Sequence, residues 1–389
     1  MLRTFAAFLC VIGLSGCQAR AFNPTPTVPA VPSTTPSAQP TAGMAGVFFD
    51  DFDMMDALSG WAWKGISQLY RTDDGGATWH EIHLQGKMQV TGGQFLDSQE
   101  AWLPGVPDAD LKQAVYRTTD GGKTWTPLGS VAGPNLELHF QNASTGWALN
   151  GTGAAGNIFY QAYRTTDGGR TWMHLDVSSR GGLDQGPMAG MIHVMTGDPV
   201  SFMAPDTIWI ASGYGLSTPY AGLTVSRDGG KTWQNVNPVL PDNFVAGKPP
   251  VAVAAPQFVT KQDAYLPVTV GNRLVFFMSD DGRASWALLP PVLPSAQMRS
   301  QAQFVNMKDG FTVCSTSLCT TRDGGQTWQQ VATPFPFGSS GVGAFVSHFD
   351  FVDGLNGWAM LRDQQATNAF LNTTDGGRTW IRLMPQLGF

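Results

Sequence analysis

Seven copies of one short motif, a second aromatic series in step with it and a composition rich in turn residues predict an all-β fold, a seven-bladed β-propeller. The motif, Ser/Thr-x-Asp-x-Gly-x-Thr/Ser-Trp, occurs at 72–79, 118–125, 165–172, 226–233, 279–286, 321–328 and 373–380. Its aspartates are Asp74, Asp120, Asp167, Asp228, Asp281, Asp323 and Asp375, and its tryptophans are Trp79, Trp125, Trp172, Trp233, Trp286, Trp328 and Trp380. They recur at intervals of about fifty residues, the length of a blade of four short strands. The copy at 279–286 is degenerate, with Arg283 where the others carry glycine.

The second series is Phe52, Phe95, Phe140, Phe202, Phe258, Phe304 and Phe351, each preceded by a polar residue such as Gln94, His139 or Asp350, which is strand alternation. Trp102, Trp147, Trp209, Tyr265, Phe311 and Trp358 follow the last six at a spacing of seven, and Trp61 follows Phe52 at nine. Of the 13 tryptophans, all but Trp63 fall on these two repeat positions. Gly 46 and Pro 26 beside only 13% charged residues suit short strands joined by turns.

The elements of one repeat follow in order. The Phe marks an inner strand, Gly-Trp-Ala segments (60–62, 146–148, 357–359) a second, and runs such as 115–118 a third. The box turn then leads into a fourth strand that opens with Thr-Trp. In the turn the carboxylate can accept hydrogen bonds from the following amides, and glycine adopts positive φ without a Cβ clash. The tryptophan can bury its indole between neighbouring blades. All four strands of each blade are contiguous in the chain, so no strand is expected to be exchanged at closure, and blade seven is expected to meet blade one by side-chain packing.

The segment 1–17 is an address. Arg3 supplies a positive start, residues 4–14 an apolar stretch too short to span a bilayer, and Leu14-Ser15-Gly16-Cys17 resembles a bacterial lipobox whose cysteine carries the lipid. An ordinary secretory signal peptide is the alternative. Residues 18–43 hold Pro24, Pro26, Pro29, Pro32, Pro36 and Pro40 among Thr, Ser and Ala, the composition of an extended, solvated tether. The propeller is left with 44–389, exported and lipid-anchored at the membrane or outer surface, and a monomer. With Cys10 removed and Cys17 lipidated, Cys314 and Cys319 remain, flanking a four-residue hairpin loop at 315–318. A disulfide is expected there, with two free buried thiols as the alternative.

At its boxes the chain resembles the BNR or Asp-box repeat family, over essentially everything from about residue 44 onward. Within it, the seven copies, the Gly-Trp-Ala strands and the Arg-Thr-Thr-Asp-Gly-Gly-Lys-Thr-Trp box at 117–125 are most similar to photosystem II assembly and stability factor-like proteins. That resemblance implies an extracytoplasmic propeller that binds newly made membrane proteins through a basic patch. The conspicuous arginines here, Arg71, Arg117 and Arg164, belong to the repeat itself.

Function is tested at residues, not at the fold. A net charge of −6 with scattered basic residues argues against nucleic acid. Sialidases share Asp boxes, but no Arg-Ile-Pro occurs and the only glutamates are Glu81, Glu100 and Glu137. The six histidines, His80, His83, His139, His174, His193 and His348, show no HExxH spacing. The boxes lack the alternating carboxylates and distal Glu of a calcium loop. No phosphate-binding glycine loop or Gly-x-Ser-x-Gly elbow is present. The expectation is a protein- or glycan-binding scaffold with no catalytic residues, metal or cofactor. The second reading is a glycan-active hydrolase using paired aspartates outside the boxes, at about 5 to 10 Å.

Any binding surface is expected opposite the box turns, where loops between blades and between second and third strands emerge. Long inter-blade insertions at 173–200 and 234–250, and long hairpin loops at 151–161 and 212–222, all attach to blades three to five. His193, Tyr214, Tyr220 and Phe244 are the candidate contacts.

Overall fold

A computed structural model describes residues 49–388 apart from 85–86, 155–156, 178–190, 196–199, 204–205, 213–221, 248, 283, 296–300, 334–335, 338–344 and 363–368. Tyr214, Tyr220, Arg283 and Cys17 lie outside these residues, as does the side chain of His193. The propeller falls within one unit, Ala45–Phe389.

The chain forms seven antiparallel sheets, each built from consecutive strands. Blade one is β1 (Asp51–Met54), β2 (Gly60–Lys64), β3 (Gln68–Thr72) and β4 (Thr78–Ile82). Blade two is β5 (Gln94–Phe95), β6 (Ala101–Pro104), β7 (Lys112–Thr118) and β8 (Thr126–Ala132). Blade three is β9 (Leu136–Phe140), β10 (Gly146–Ala154), β11 (Asn157–Thr165) and β12 (Met173–Leu175), with β13 (Ile192–Met195) also paired to β11. Blade four is β14 (Val200–Met203), β15 (Thr207–Ser212), β16 (Gly222–Ser226) and β17 (Gln234–Asn235), after which comes a single helical turn, α1 (Asp242–Val245). In blade five the inner strand is split into β18 (Val251–Val253) and β19 (Gln257–Phe258), and β20 (Ala264–Val270), β21 (Arg273–Ser279), β22 (Ala287–Leu288) and β23 (Leu293–Pro294) follow. Blade six is β24 (Ala302–Phe304), β25 (Gly310–Cys314), β26 (Ser317–Thr321) and β27 (Gln329–Val331). Blade seven is β28 (Phe345–Phe351), β29 (Gly357–Arg362), β30 (Ala369–Thr373) and β31 (Ile381–Leu383), and β32 (Gln386–Gly388) ends the chain.

The two aromatic series meet each other across the seams. At three seams the second-strand ring of one blade lies flat on the inner-strand Phe of the next: Trp102 on Phe140 at 3.9 Å, Tyr265 on Phe304 at 3.6 Å and Phe311 on Phe351 at 3.5 Å, whereas Trp209 meets Phe258 tilted by 48° at 6.2 Å. The box tryptophan of the same blade then meets that Phe edge-on, as Trp172 does Phe140 and Trp380 does Phe351. Every seam holds one hydrophobic cluster containing one box tryptophan, from Trp79 between blades seven and one to Trp380 between six and seven. Indole area removed from water on both sides of a seam is what holds neighbouring blades together.

Closure differs from the expectation in one respect. Each blade keeps its own contiguous strands, yet β32 pairs parallel to β4, with Gln386 opposite Thr78, as a fifth strand on blade one. The last residues therefore contribute main-chain hydrogen bonds to the join, because the outer edge of β4 offers unpaired backbone groups to any nearby extended segment.

Two other local expectations are corrected. Residues 151–161 are no loose loop: β10 and β11 pair through them from Gly146↔Thr165 to Ala154↔Asn157. The backbone of β13 adds to the same projecting end of β11, supplying the neighbour that a two-stranded ribbon lacks. The cysteines do form a disulfide, Cys314–Cys319, but across a two-residue turn, since Cys314 pairs with Ser317 and Cys319 with Thr312. The bond runs diagonally over a Cα–Cα distance of 5.8 Å.

Candidate functional site

The boxes are occupied with architecture. In blade two, Asp120 accepts from the Thr124 amide (2.9 Å), the Thr124 hydroxyl (2.6 Å) and the Thr118 hydroxyl (2.8 Å), and Thr118 in turn accepts from Gly122 N (2.8 Å). The carboxylate bonds recur at all seven aspartates, Asp281 of the degenerate box included. Hydrogen bonds from Thr124 hold the Asp120 carboxyl below its usual range, and those from Thr171 and Thr232 bring Asp167 and Asp228 to about 2. The first glycine of each box donates to a carbonyl in the first hairpin of its own blade, at 2.7 to 3.2 Å, from Gly75 to Leu58 through Gly376 to Leu355. Box turns and first hairpins are thus tied together on one face.

The repeat arginines are structural too. Arg71 lies over the Trp61 ring at 5.3 Å, Arg117 over Trp102 at 4.9 Å and Arg322 over Phe311 at 5.2 Å. Their guanidinium groups reach first-hairpin acceptors: Ser98 O for Arg71, Glu100 for Arg117 and Asp309 for Arg322. Arg164 makes an ion pair with Asp206 of blade four. Side chains committed to a ring and an acceptor in this way are not presented as a basic patch.

Of the candidate contacts, Phe244 is corrected. It is 7% exposed, sits in the core cluster between blades four and five, and carries Arg273 on its face at 4.8 Å. An aromatic on a short helical turn packs down when apolar neighbours such as Leu240 and Val270 lie beneath it. The backbone of His193 is placed on β13 opposite Phe159 of β11, on the projecting ribbon of blade three.

The strongest cluster of titratable groups lies elsewhere, between the inner strands of blades seven and one. Asp51 and Asp53 alternate with Phe52 on β1, while His348 and Asp350 flank Phe349 on β28. His348 Nδ1 is hydrogen-bonded to Asp51, and its ring packs on Phe52 at 4.9 Å. Asp350, 9% exposed, accepts from Met54 N (2.8 Å) and from Gln303 Nε2 (2.8 Å), so one carboxylate joins blades six, seven and one. Burial raises its pKa against those donors. Burial, and then the charge of Asp350, push Asp53 up to about 7. For His348, burial pulls downward, but the bond to Asp51 and the surrounding carboxylates outweigh it and leave the imidazole above its ordinary value. In blade three, burial takes His139 down to about 4.

Other inner strands use amides in the same role. Gln303 brackets Phe351 through its N (2.8 Å) and O (3.0 Å), and Gln301 donates to Phe349 O (2.7 Å). Gln141 donates to Phe202 O (2.7 Å). The polar residues beside the Phe series are thus an inner ring of inter-blade clasps, and at the seam of blades seven and one the clasp titrates. Among the described residues no group of three His, Cys, Asp or Glu side chains is arranged to hold a metal ion.

These features define a class, a seven-bladed β-propeller with Asp-box turns. The BNR/Asp-box repeat model matches residues 116–127. Comparison with curated proteins finds no match. Among solved structures the chain is similar to one described as YCF48 bound to D1 peptide, at 18% identity over 84% of this chain and 90% of that chain, with a TM-score of 0.52. It is also similar to YCF48 from Cyanidioschyzon merolae, at 16% identity over 85% of this chain and 96% of that one, TM-score 0.51. A puromycin-hydrolyzing peptidase of Mycobacterium tuberculosis shares the fold at 10% identity and TM-score 0.51 over 87% of this chain and 53% of its own. Likeness at these identities is likeness of fold, reaching both peptide-bound and hydrolytic proteins.

Proposed function

We propose that this chain is a non-catalytic, exported propeller, anchored through Cys17, that captures a protein segment on the face opposite its box turns. The observation that carries the reading is the ribbon of blade three, where β10 and β11 continue as paired strands to Ala154 and Asn157 with β13 laid alongside. Among the described residues, blades one, five and six turn sooner, at Lys64↔Gln68, Val270↔Arg273 and Cys314↔Ser317, so the three-stranded projection is an addition to the repeated blade. Rigid projections on rigid scaffolds suit recognition because little order is lost on binding. The disulfide Cys314–Cys319 agrees with an oxidising compartment. A propeller of similar fold bound to a peptide supports the same reading. The test is affinity capture from membranes of the native host, with the intact chain beside a variant whose residues 152–159 are replaced by a two-residue turn. Specific partners should be lost from the variant while its thermal unfolding stays within a few degrees; partners retained in full would reject the placement.

A second reading, a glycan-active hydrolase, has one observation in its favour. Asp53 titrates near neutral pH beside Asp350, the kind of environment a general acid requires. Against it, Asp350 is engaged by Met54 N and Gln303 and Asp51 by His348, so neither neighbouring carboxylate is free to act beside Asp53. Release of reducing sugar from neutral glycans that vanishes in Asp53→Asn would favour hydrolysis over capture.

A further inference from the structure

We propose that the rim groove between blades four and five binds an uncharged oligosaccharide. The groove has a volume of about 430 Å³, within the range of small-molecule sites, and none of its described lining residues is charged. One wall is the edge strand β17 and its continuation, which present Gln234, Asn235 and Asn237. Asn235 Oδ1 accepts from the Thr224 hydroxyl (2.9 Å) and Asn237 Oδ1 from Leu223 N (2.7 Å), so both amides are fixed in orientation. Among the described residues, neither amide nitrogen nor the exposed Gln234 side chain has a hydrogen-bond partner. The opposite wall sets half-buried Trp286 and Leu288 beside Ala284 and Ser285, and Val239 is 71% exposed.

Oriented amides beside aromatic and aliphatic side chains match a pyranose. Its hydroxyls both donate and accept, as primary amides do, and its C–H faces pack on aromatic and aliphatic surface. The groove at the corresponding place between blades six and seven, about 330 Å³, is lined by Arg322 and Arg378. Among the described residues, the two grooves therefore differ in charge. A peptide added as a strand is disfavoured, because β17 is only two residues long and Pro238 interrupts the edge just beyond it. The site is separate from the blade-three ribbon, and its test does not depend on the capture of a protein.

The experiment is isothermal titration of the full chain with neutral hexasaccharides of glucose, mannose and N-acetylglucosamine, with hexagalacturonate and an uncharged decapeptide as controls. At least one neutral hexasaccharide should bind with a dissociation constant below about 1 mM, and the controls should not. Gln234→Ala with Asn235→Ala should weaken it at least tenfold. Val239→Arg, which adds bulk and charge to the lining, should do the same, and all variants should keep the parent melting temperature. No binding by any neutral hexasaccharide, binding unaffected by both variants, or preference for the acid or the peptide would each overturn the assignment. Binding lost instead in Asp53→Asn would place the sugar at the inner seam and overturn it as well.

Discussion

A single carboxylate in each box does the work of several turn residues. Asp120 satisfies the amide and hydroxyl of Thr124 and orients Thr118, which then holds Gly122 N. Asp120→Ala should cost about 1–2 kcal/mol by urea unfolding, the scale of a lost side-chain cap with one orphaned amide. The second glycine of the box answers a different demand. Gly377 has φ 87° and a Cβ there would come within 2.3 Å of Leu318 Cδ2 on blade six, so Gly377→Ala should destabilise by about 2 kcal/mol through strain and overpacking together. Both demands are legible in the sequence, since the aspartate repeats seven times and the second glycine six times, Arg283 replacing it in the degenerate box. Phe244 was not legible: an aromatic in a long insertion reads as exposed, and only the tertiary neighbours Leu240 and Arg273 reveal that it is core. The arginines were half legible, as repeat members by position but without their flat contact on the second-strand ring.

At the level of strands, the alternation of polar residues with the Phe series announced inner strands and concealed what the polar residues do. Gln301, Gln303 and Asp350 reach across to the next blade, a contact set by the ring's curvature and by no local pattern. The inner seam between β1 and β28 carries a pH dependence with a definite sign. Asp53 holds its proton up to about 7 in the folded protein against an ordinary 3.8, so the folded state binds more protons than the unfolded chain between those values, and stability falls as pH rises through that window. His348, raised above 6.5 on balance, acts in the same direction, its contribution present at low pH and lost above its folded value. His139, held at about 4, acts oppositely below 6.5, and the box aspartates lose their contribution as pH falls through the acid range. Asp53→Asn isolates the first term. Between pH 5 and pH 8 the wild type should lose about 2 kcal/mol relative to this variant in parallel urea titrations, and parallel curves would mean that Asp53 titrates normally. The ribbon of blade three was misread for a physical reason: the Gly- and Ala-rich stretch at 151–156 has turn composition, and its pairing with β11 draws support from the distant β13.

For the whole molecule, phase and blade number came directly from the repeat, and the join did not. Seven seams bury equivalent clusters, but blades seven and one also share β32 and the Asp350 bond to Met54 N. A ring whose ends are joined only by non-covalent contacts is expected to open first at that join. Removal of residues 385–389 should therefore speed hydrogen exchange in β4 by about tenfold, equivalent to about 1.4 kcal/mol of lost protection, with little change in blade five. Hydrogen exchange measured with and without a captured partner tests whether binding falls on the face opposite the boxes. Protection should appear at 146–165 and 192–195 and be absent from the box turns at 118–125 and 321–328. Protection confined to the box turns, or spread evenly around the ring, would contradict it.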